Sequence, residues 1–209
     1  MIERQLVNRI ELYGDEIGSV EYVQHMGTDL TIVNSARVSF GKEKSVIDEK
    51  DEKLIKYLAE HKHTSTFEHN VITFRFKVPL FVRSQHHRHR TWSYNEISRR
   101  YTDVNIEFYE PKQFRTQHKS NRQASNDEYV NPNLSSGIVK NTTIPVPPNL
   151  ASDAIHLHHQ RSLRLFNQLV DTGVCREQAR GVLPQNLYTE YYGTTNLSNL
   201  LKFIELRAH

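Results

Sequence analysis

Apolar and polar positions alternate most cleanly over residues 70–77. Ile72, Phe74 and Phe76 face one way and Thr73, Arg75 and Lys77 the other, which predicts a half-buried strand. Residues 20–25 alternate more weakly and read as a second strand. Asp29 can cap a helix running through Leu30, Val33 and Arg37, and Leu54, Ile55 and Leu58 recur at helical spacing within 51–61. Pro79 suits the first turn of a helix carried through the basic residues that follow. Val104 to Tyr109 reads as a strand, and 111–150, rich in Asn, Ser, Gln, Lys and Pro, as a long polar surface insertion. A helix resumes near Ala151 with Ile155, Ser162, Phe166, Leu169 and Val170 on one face and stops at Gly173. A shorter helix from Cys175 to Val182 closes at Pro184, and Leu187 to Thr195 reads as a tyrosine-rich strand. Asn196 caps a last helix with Leu197, Leu200, Leu201 and Ile204 inward. Strands and helices mix without regular βαβ alternation, so the fold class is α+β, a mixed sheet flanked by helices.

The length, 209 residues, suits one domain or a tightly fused pair, and a single domain spanning 1–209 is expected. No apolar run approaches the roughly 20 residues a membrane helix needs, and the start, Met1-Ile2-Glu3-Arg4, lacks an apolar signal core. Cys175 is the only cysteine, which excludes an intrachain disulfide and a cysteine-rich zinc site. These features favour a cytoplasmic setting. The last helix meets the chain end at His209 without a C-cap, which suggests a truncated C-terminus.

The net charge of +3 is mild, but its placement is not. Arg83, His86, His87, Arg88, His89, Arg90, Arg99 and Arg100 crowd one stretch, opposed only by Glu96. Such a cluster repels itself unless an anion neutralises it. Arginine forks match phosphate oxygens, Ser98 adds a hydroxyl donor, and Glu96 suits a ribose hydroxyl or an imide N–H. The plain alternative is a solvated basic face. No Gly-x-Gly-x-x-Gly follows a strand and no Walker loop exists, so a nucleotide here is held by side chains and helix ends.

Other stretches say less on their own. His61, His63 and His69 with Glu68 hint at a metal, but their spacing gathers them on no one helix face, so no metal site is expected. His156, His158 and His159 read as exposed helix histidines. Arg180 and Arg207 look ordinary, and Ser98 and Cys175 have no general base in view.

Arg88-His89-Arg90, a spacer holding Tyr94-Asn95-Glu96, then Ser98-Arg99-Arg100 resembles the signature of flavin-dependent thymidylate synthase. Further blocks resemble that family in order: Ala36 to Phe40, His63 to His69, Ala179 to Pro184, and Asn196 to Arg207. Thr66 stands where the family often has proline, His86-His87 where it has aromatics, and Lys202 where it has Asn or His. The resemblance implies the family's α+β fold and a homotetramer with active sites shared between subunits. It implies FAD as cofactor, dUMP as substrate, 5,10-methylenetetrahydrofolate as carbon donor and NADPH as reductant. Ser39 and His63 would line the flavin pocket, and Ser65, Arg88, His89, Arg90, Glu96, Asn196, Ser198 and Lys202 would contact FAD. Gln85, His86, His87, Arg88, Glu96, Ile97, Ser98, Arg99, Arg100, Arg180 and Arg207 would hold dUMP. Arg207 would act in catalysis by favouring ionisation at N3 of the uracil. Neither a membrane nor a dedicated nucleic-acid partner is expected. The competing readings are a basic nucleic-acid-binding module and a histidine-based metal hydrolase.

Overall fold

The computed structural model describes residues 8–134 and 150–208. Contacts divide them into two compact units, one of the described residues up to Ile97 joined by those from Thr189 onward, the other Ser98–Tyr188.

The first unit is built on a five-stranded sheet in the order β1-β2-β3-β7-β4, with β1 Arg9–Glu11, β2 Ser19–Met26, β3 Val71–Pro79, β4 Ser93–Glu96 and β7 Tyr188–Asn196. β1 with β2, β2 with β3, and β4 with β7 pair antiparallel. Alternation along β3 works as expected. Phe76 is buried with Val78 and Tyr191, and Phe74, Trp92 and Tyr94 pack around them. Gly193 on β7 lies so close to this cluster that a Cβ there would stand 2.9 Å from the Phe76 ring.

Helices α1 (Asp29–Arg37), α2 (Glu49–Glu60), α3 (Leu80–His86) and α6 (Leu197–Arg207) complete this unit. Thr28, rather than Asp29, holds the N-cap position of α1, and Asp29 is its first residue. Ile32 of α1, Leu58 of α2 and Phe67 form a second core cluster. Asp48 caps α2 by accepting from Lys50 N and Asp51 N. Asp51, fully buried, pairs with Arg37 and Lys44. Hydrogen bonds from Lys44 foremost, then Arg37, hold its carboxyl well below the usual carboxylate range, against the pull of burial. Together with Asn34, which bonds the backbone of Lys44 in both directions, this ion set ties down the loop after α1.

Asn196 caps α6 as expected, accepting from Asn199 N at 2.9 Å. Leu201 and Ile204, expected inward, are 45% and 46% exposed, because no described segment lies over that side of the helix. The helix expected to run through the basic stretch stops at His86. Beyond it the backbone bonds contract to three-residue spacing, Arg88 N to Gln85 O and His89 N to His86 O, and the chain turns into β4.

The second unit holds the hairpin of β5 (Phe114–Gln117) and β6 (Ser125–Val130), α4 (Ala151–Asp171) and α5 (Arg176–Ala179). Part of the expected polar insertion is therefore an ordered hairpin, and its remaining residues, 135–149, lie outside the described set. The strand expected over Val104–Tyr109 is absent. Asn105 takes a left-handed φ of 54°, and Arg99 bonds the carbonyls of Val104 and Asn105, so only Phe108 pairs, as a bridge to Leu187. On α4, His159 is buried, and His156 and His159 both place Nδ1 2.8 Å from the Glu110 carboxylate. These are not simply exposed helix histidines: a carboxylate from a distant segment completes the group. Burial lowers the His159 pKa, with Glu110 opposing it, so a neutral imidazole donates to the anion.

Candidate functional site

In the first unit the residues singled out by sequence fall around α3, the turn after it, β4 and α6, apart from Ser39, His63 and Ser65 in the turns that follow α1 and α2. The α3 end is a caged imidazole. His86 is buried against Phe76 (4.8 Å between ring centroids), Trp92 (4.7 Å) and Phe203 (5.1 Å). The Tyr191 hydroxyl lies 2.8 Å from its Nδ1, and the Tyr94 hydroxyl donates to its carbonyl at 3.1 Å. Burial pushes the His86 pKa down to about 4, with His87, His89 and Arg207 adding to the effect. Burial also raises the Tyr94 hydroxyl to about 12. His86 is thus a neutral, largely buried residue, 7% exposed, whose Nδ1 meets Tyr191 while its Nε2 has no partner among the described residues. His87 stacks on Tyr94 at 4.0 Å, its pKa lowered by burial and then by Arg83.

Arg88 and Arg90 leave this framework. Both are exposed in the turn, and neither has a carboxylate partner among the described residues. His89 packs edge-on to Phe203 and accepts from Arg207 Nε at 3.2 Å, with burial and then Arg207 lowering its pKa. Because Arg207 spends only Nε on that bond, its two Nη groups remain as donors. Glu96 is half-buried and held by two donors from Arg83 and by the Thr189 hydroxyl. Gln85 and Ile97 are exposed.

Ser39 is exposed in the turn Val38–Phe40, and Ser65 in the turn Thr64–Phe67, which His63 precedes. An open groove of about 600 Å³ runs beside the first turn, lined by Asn34, Ser35, Val38, Gly41, Lys42 and His69 among others. Asn196 spends Oδ1 on its helix cap and keeps its amide nitrogen as a donor. Lys202 is exposed on α6, whereas Ser198 is buried with a hydroxyl that meets no partner.

The second unit carries the other four. Ser98 Oγ accepts from Arg100 Nε at 3.2 Å, and the Arg100 guanidinium lies 5.0 Å over the Tyr101 ring. Arg99 is buried, its pKa lowered by burial, and it spends both Nη groups on its own backbone turn. Arg180 is exposed and bonds the Glu177 carbonyl at 3.3 Å. Arg83, Thr189 and Tyr191 were missed as contributors. Arg83 was visible as charge only, and the two β7 residues reach their partners across 93 and 105 positions of sequence.

A flavin dinucleotide brings a negatively charged pyrophosphate and a polar heterocycle. The unpaired Arg88 and Arg90 match such a group in charge, and the groove, whose lining does not include them, has the volume of a ligand pocket. The family model of the thymidylate synthase complementing protein matches residues 21–209. The chain belongs to that family. A flavin-dependent thymidylate synthase of Thermus thermophilus is 42% identical over 190 residues, covering 91% of this chain and 64% of that protein. One from Kosmotoga olearia is 41% identical over 196 residues, covering 92% and 77%. The chain thus spans less than two thirds of the Thermus relative's length. Among solved structures, the thymidylate synthase complementing protein family member resembles a UMP/dUMP methylase PolB from Streptomyces cacaoi bound with 5-Br dUMP. The TM-score is 0.71 and the identity 31%, over 93% of this chain and 79% of that one. The described residues of this chain are a mixed α+β structure with antiparallel strand pairs. No described helix is long and apolar enough to cross a membrane.

Proposed function

We propose that the chain acts as a flavin-dependent thymidylate synthase, converting dUMP to dTMP with 5,10-methylenetetrahydrofolate as carbon donor and NADPH as reductant. The observation that carries this reading is the pair of exposed, unpartnered arginines, Arg88 and Arg90, on a turn anchored by the His86 cage, in a chain whose relatives bear that name. A bound FAD would supply the redox chemistry that links NADPH to the transferred carbon.

Arg88 and Arg90 would hold the flavin's phosphates as forks, with Ser39, His63, Ser65, Asn196 and Lys202 around the cofactor. Glu96 supplies a fixed acceptor. Ser98 and Arg100 are already in contact and would donate together to the dUMP phosphate, joined by Arg180. Uracil C5 is a poor nucleophile. The Arg207 Nη groups would stabilise negative charge developing at N3 and the adjacent carbonyl, which raises electron density at C5. No cysteine nucleophile is needed.

A homotetramer belongs to the same reading. Exposed Leu201, Ile204 and Leu206 on α6, and Val38 and Phe40 beyond α1, are the apolar surface an interface between copies would cover. A purified yellow protein with a flavin band in the blue, oxidising NADPH only when dUMP is present, is the expected result. A colourless protein that takes up no added FAD would sink the reading. A nucleic-acid-binding module would instead bind oligonucleotides with steep salt dependence.

A further inference from the structure

Glu96 of β4 is engaged from two sides before any ligand arrives. Arg83 of α3 donates from Nε to Oε1 at 2.9 Å and from Nη2 to Oε2 at 2.6 Å. The Thr189 hydroxyl of β7 donates to Oε1 at 2.6 Å. A carboxylate offers about four acceptor directions. Both on Oε1 are taken and one on Oε2, which leaves a single direction on Oε2. The Arg83 and Glu96 side chains keep 31% and 20% of their surface exposed, so the pair is open to a ligand.

We propose that Arg83, with Thr189, is a positioning residue of the nucleotide site, locking Glu96 so that it offers one acceptor to one donor of the bound nucleotide. This rests on the reading that the chain binds dUMP. A guanidinium fork fixes both the position and the plane of a carboxylate, which an ammonium does not. It also offsets the carboxylate charge in advance, so an anionic ligand approaches a nearly neutral group. It follows that Glu96 cannot bond a ribose hydroxyl and the uracil N3–H together, nor serve flavin and dUMP with a bond each.

The test is dUMP affinity, by calorimetry, for the wild-type chain and for Arg83→Met, Arg83→Lys and Thr189→Val. Each is titrated with dUMP, its 3′-deoxy analogue and its N3-methyl analogue. The wild type is expected to discriminate against both analogues. Arg83→Met should bind dUMP about tenfold more weakly and lose discrimination against one analogue while keeping it against the other. Arg83→Lys should recover part of the affinity without that discrimination. Thr189→Val should show a smaller loss of the same kind. A purely structural role for Arg83 would weaken all three ligands alike with discrimination intact, and that result overturns the inference. So does discrimination lost against both analogues, or Arg83→Met binding like wild type. If the wild-type chain binds no dUMP, the proposed function fails and this inference falls with it. Wild-type binding beside an unaffected Arg83→Met overturns the inference alone.

Discussion

A single residue, His87, separates His86 from Arg88, and their surroundings are opposite. His86 is sealed in a cage of Phe76, Trp92, Tyr94, Tyr191 and Phe203, uncharged at neutral pH and held by a tyrosine hydroxyl. Arg88 lies on the surface with no carboxylate to meet it. One end of a basic stretch is framework and the other is available to an anion. The difference teaches that charge density in sequence does not by itself mark ligand contacts. The residues packed into the cage hold the exposed ones in place.

The largest expected effect tests the exposed side of this contrast. Replacing Arg88 and Arg90 together by alanine removes two forks, each worth about 1.5 to 3 kcal/mol toward a phosphate. FAD affinity should fall by at least about 100-fold, read by flavin fluorescence titration, while the melting temperature stays within about 2 °C. A large drop in melting temperature would place these arginines in the framework instead.

The caged side predicts a pH effect. The His86 pKa is about 4 in the folded chain, below its ordinary value of 6.5, because burial disfavours the imidazolium. The unfolded chain then binds the extra proton first, so this group costs stability as pH falls from 6.5 toward 4 and costs nothing above 6.5. Allowing for residual exposure, the loss is about 2 kcal/mol. Denaturant unfolding at pH 7 and pH 4.5 should show it, and His86→Phe should flatten that part of the profile. An unchanged slope in the variant would contradict the cage.

Tyr191→Phe sharpens the same point with a smaller effect. It leaves His86 Nδ1 buried without its partner, a cost of about 1 to 2 kcal/mol in unfolding free energy. FAD affinity should change less than about twofold. A strong loss of flavin binding would move Tyr191 into the ligand site. The smallest effect belongs to the other histidine group. His156→Ala removes an exposed arm of the Glu110 clasp and should cost under about 0.5 kcal/mol. The buried His159→Ala should cost several times more.

Much of the fold was legible because local patterns and packing agree. Alternation on β3 and the spacing of α1, α2 and α4 place inward residues that the structure buries, as Phe76, Val33, Leu58 and Phe166 show. Asn196 was readable as a cap because capping is a local act. Val104–Tyr109 misled because its strand-like composition is overridden by the Arg99 contacts that bend it. Leu201 and Ile204 misled because helical spacing shows an apolar face without showing what covers it. At the site, the arginines and Glu96 were legible as charge in an unusual order. The division between His86 and Arg88 was not, since the cage is made by Phe76, Tyr191 and Phe203 from distant parts of the chain. The Arg83–Glu96–Thr189 group was hidden for the same reason.

The most direct measurement is carbon transfer. The chain is incubated with FAD, NADPH, dUMP and 5,10-methylenetetrahydrofolate labelled at the methylene carbon, and the nucleotides are separated. The account predicts labelled dTMP carrying the label in its C5 methyl, formed only when FAD, NADPH and dUMP are all present and greatly reduced in Arg207→Ala. Absence of labelled dTMP from a folded, flavin-loaded protein would contradict it.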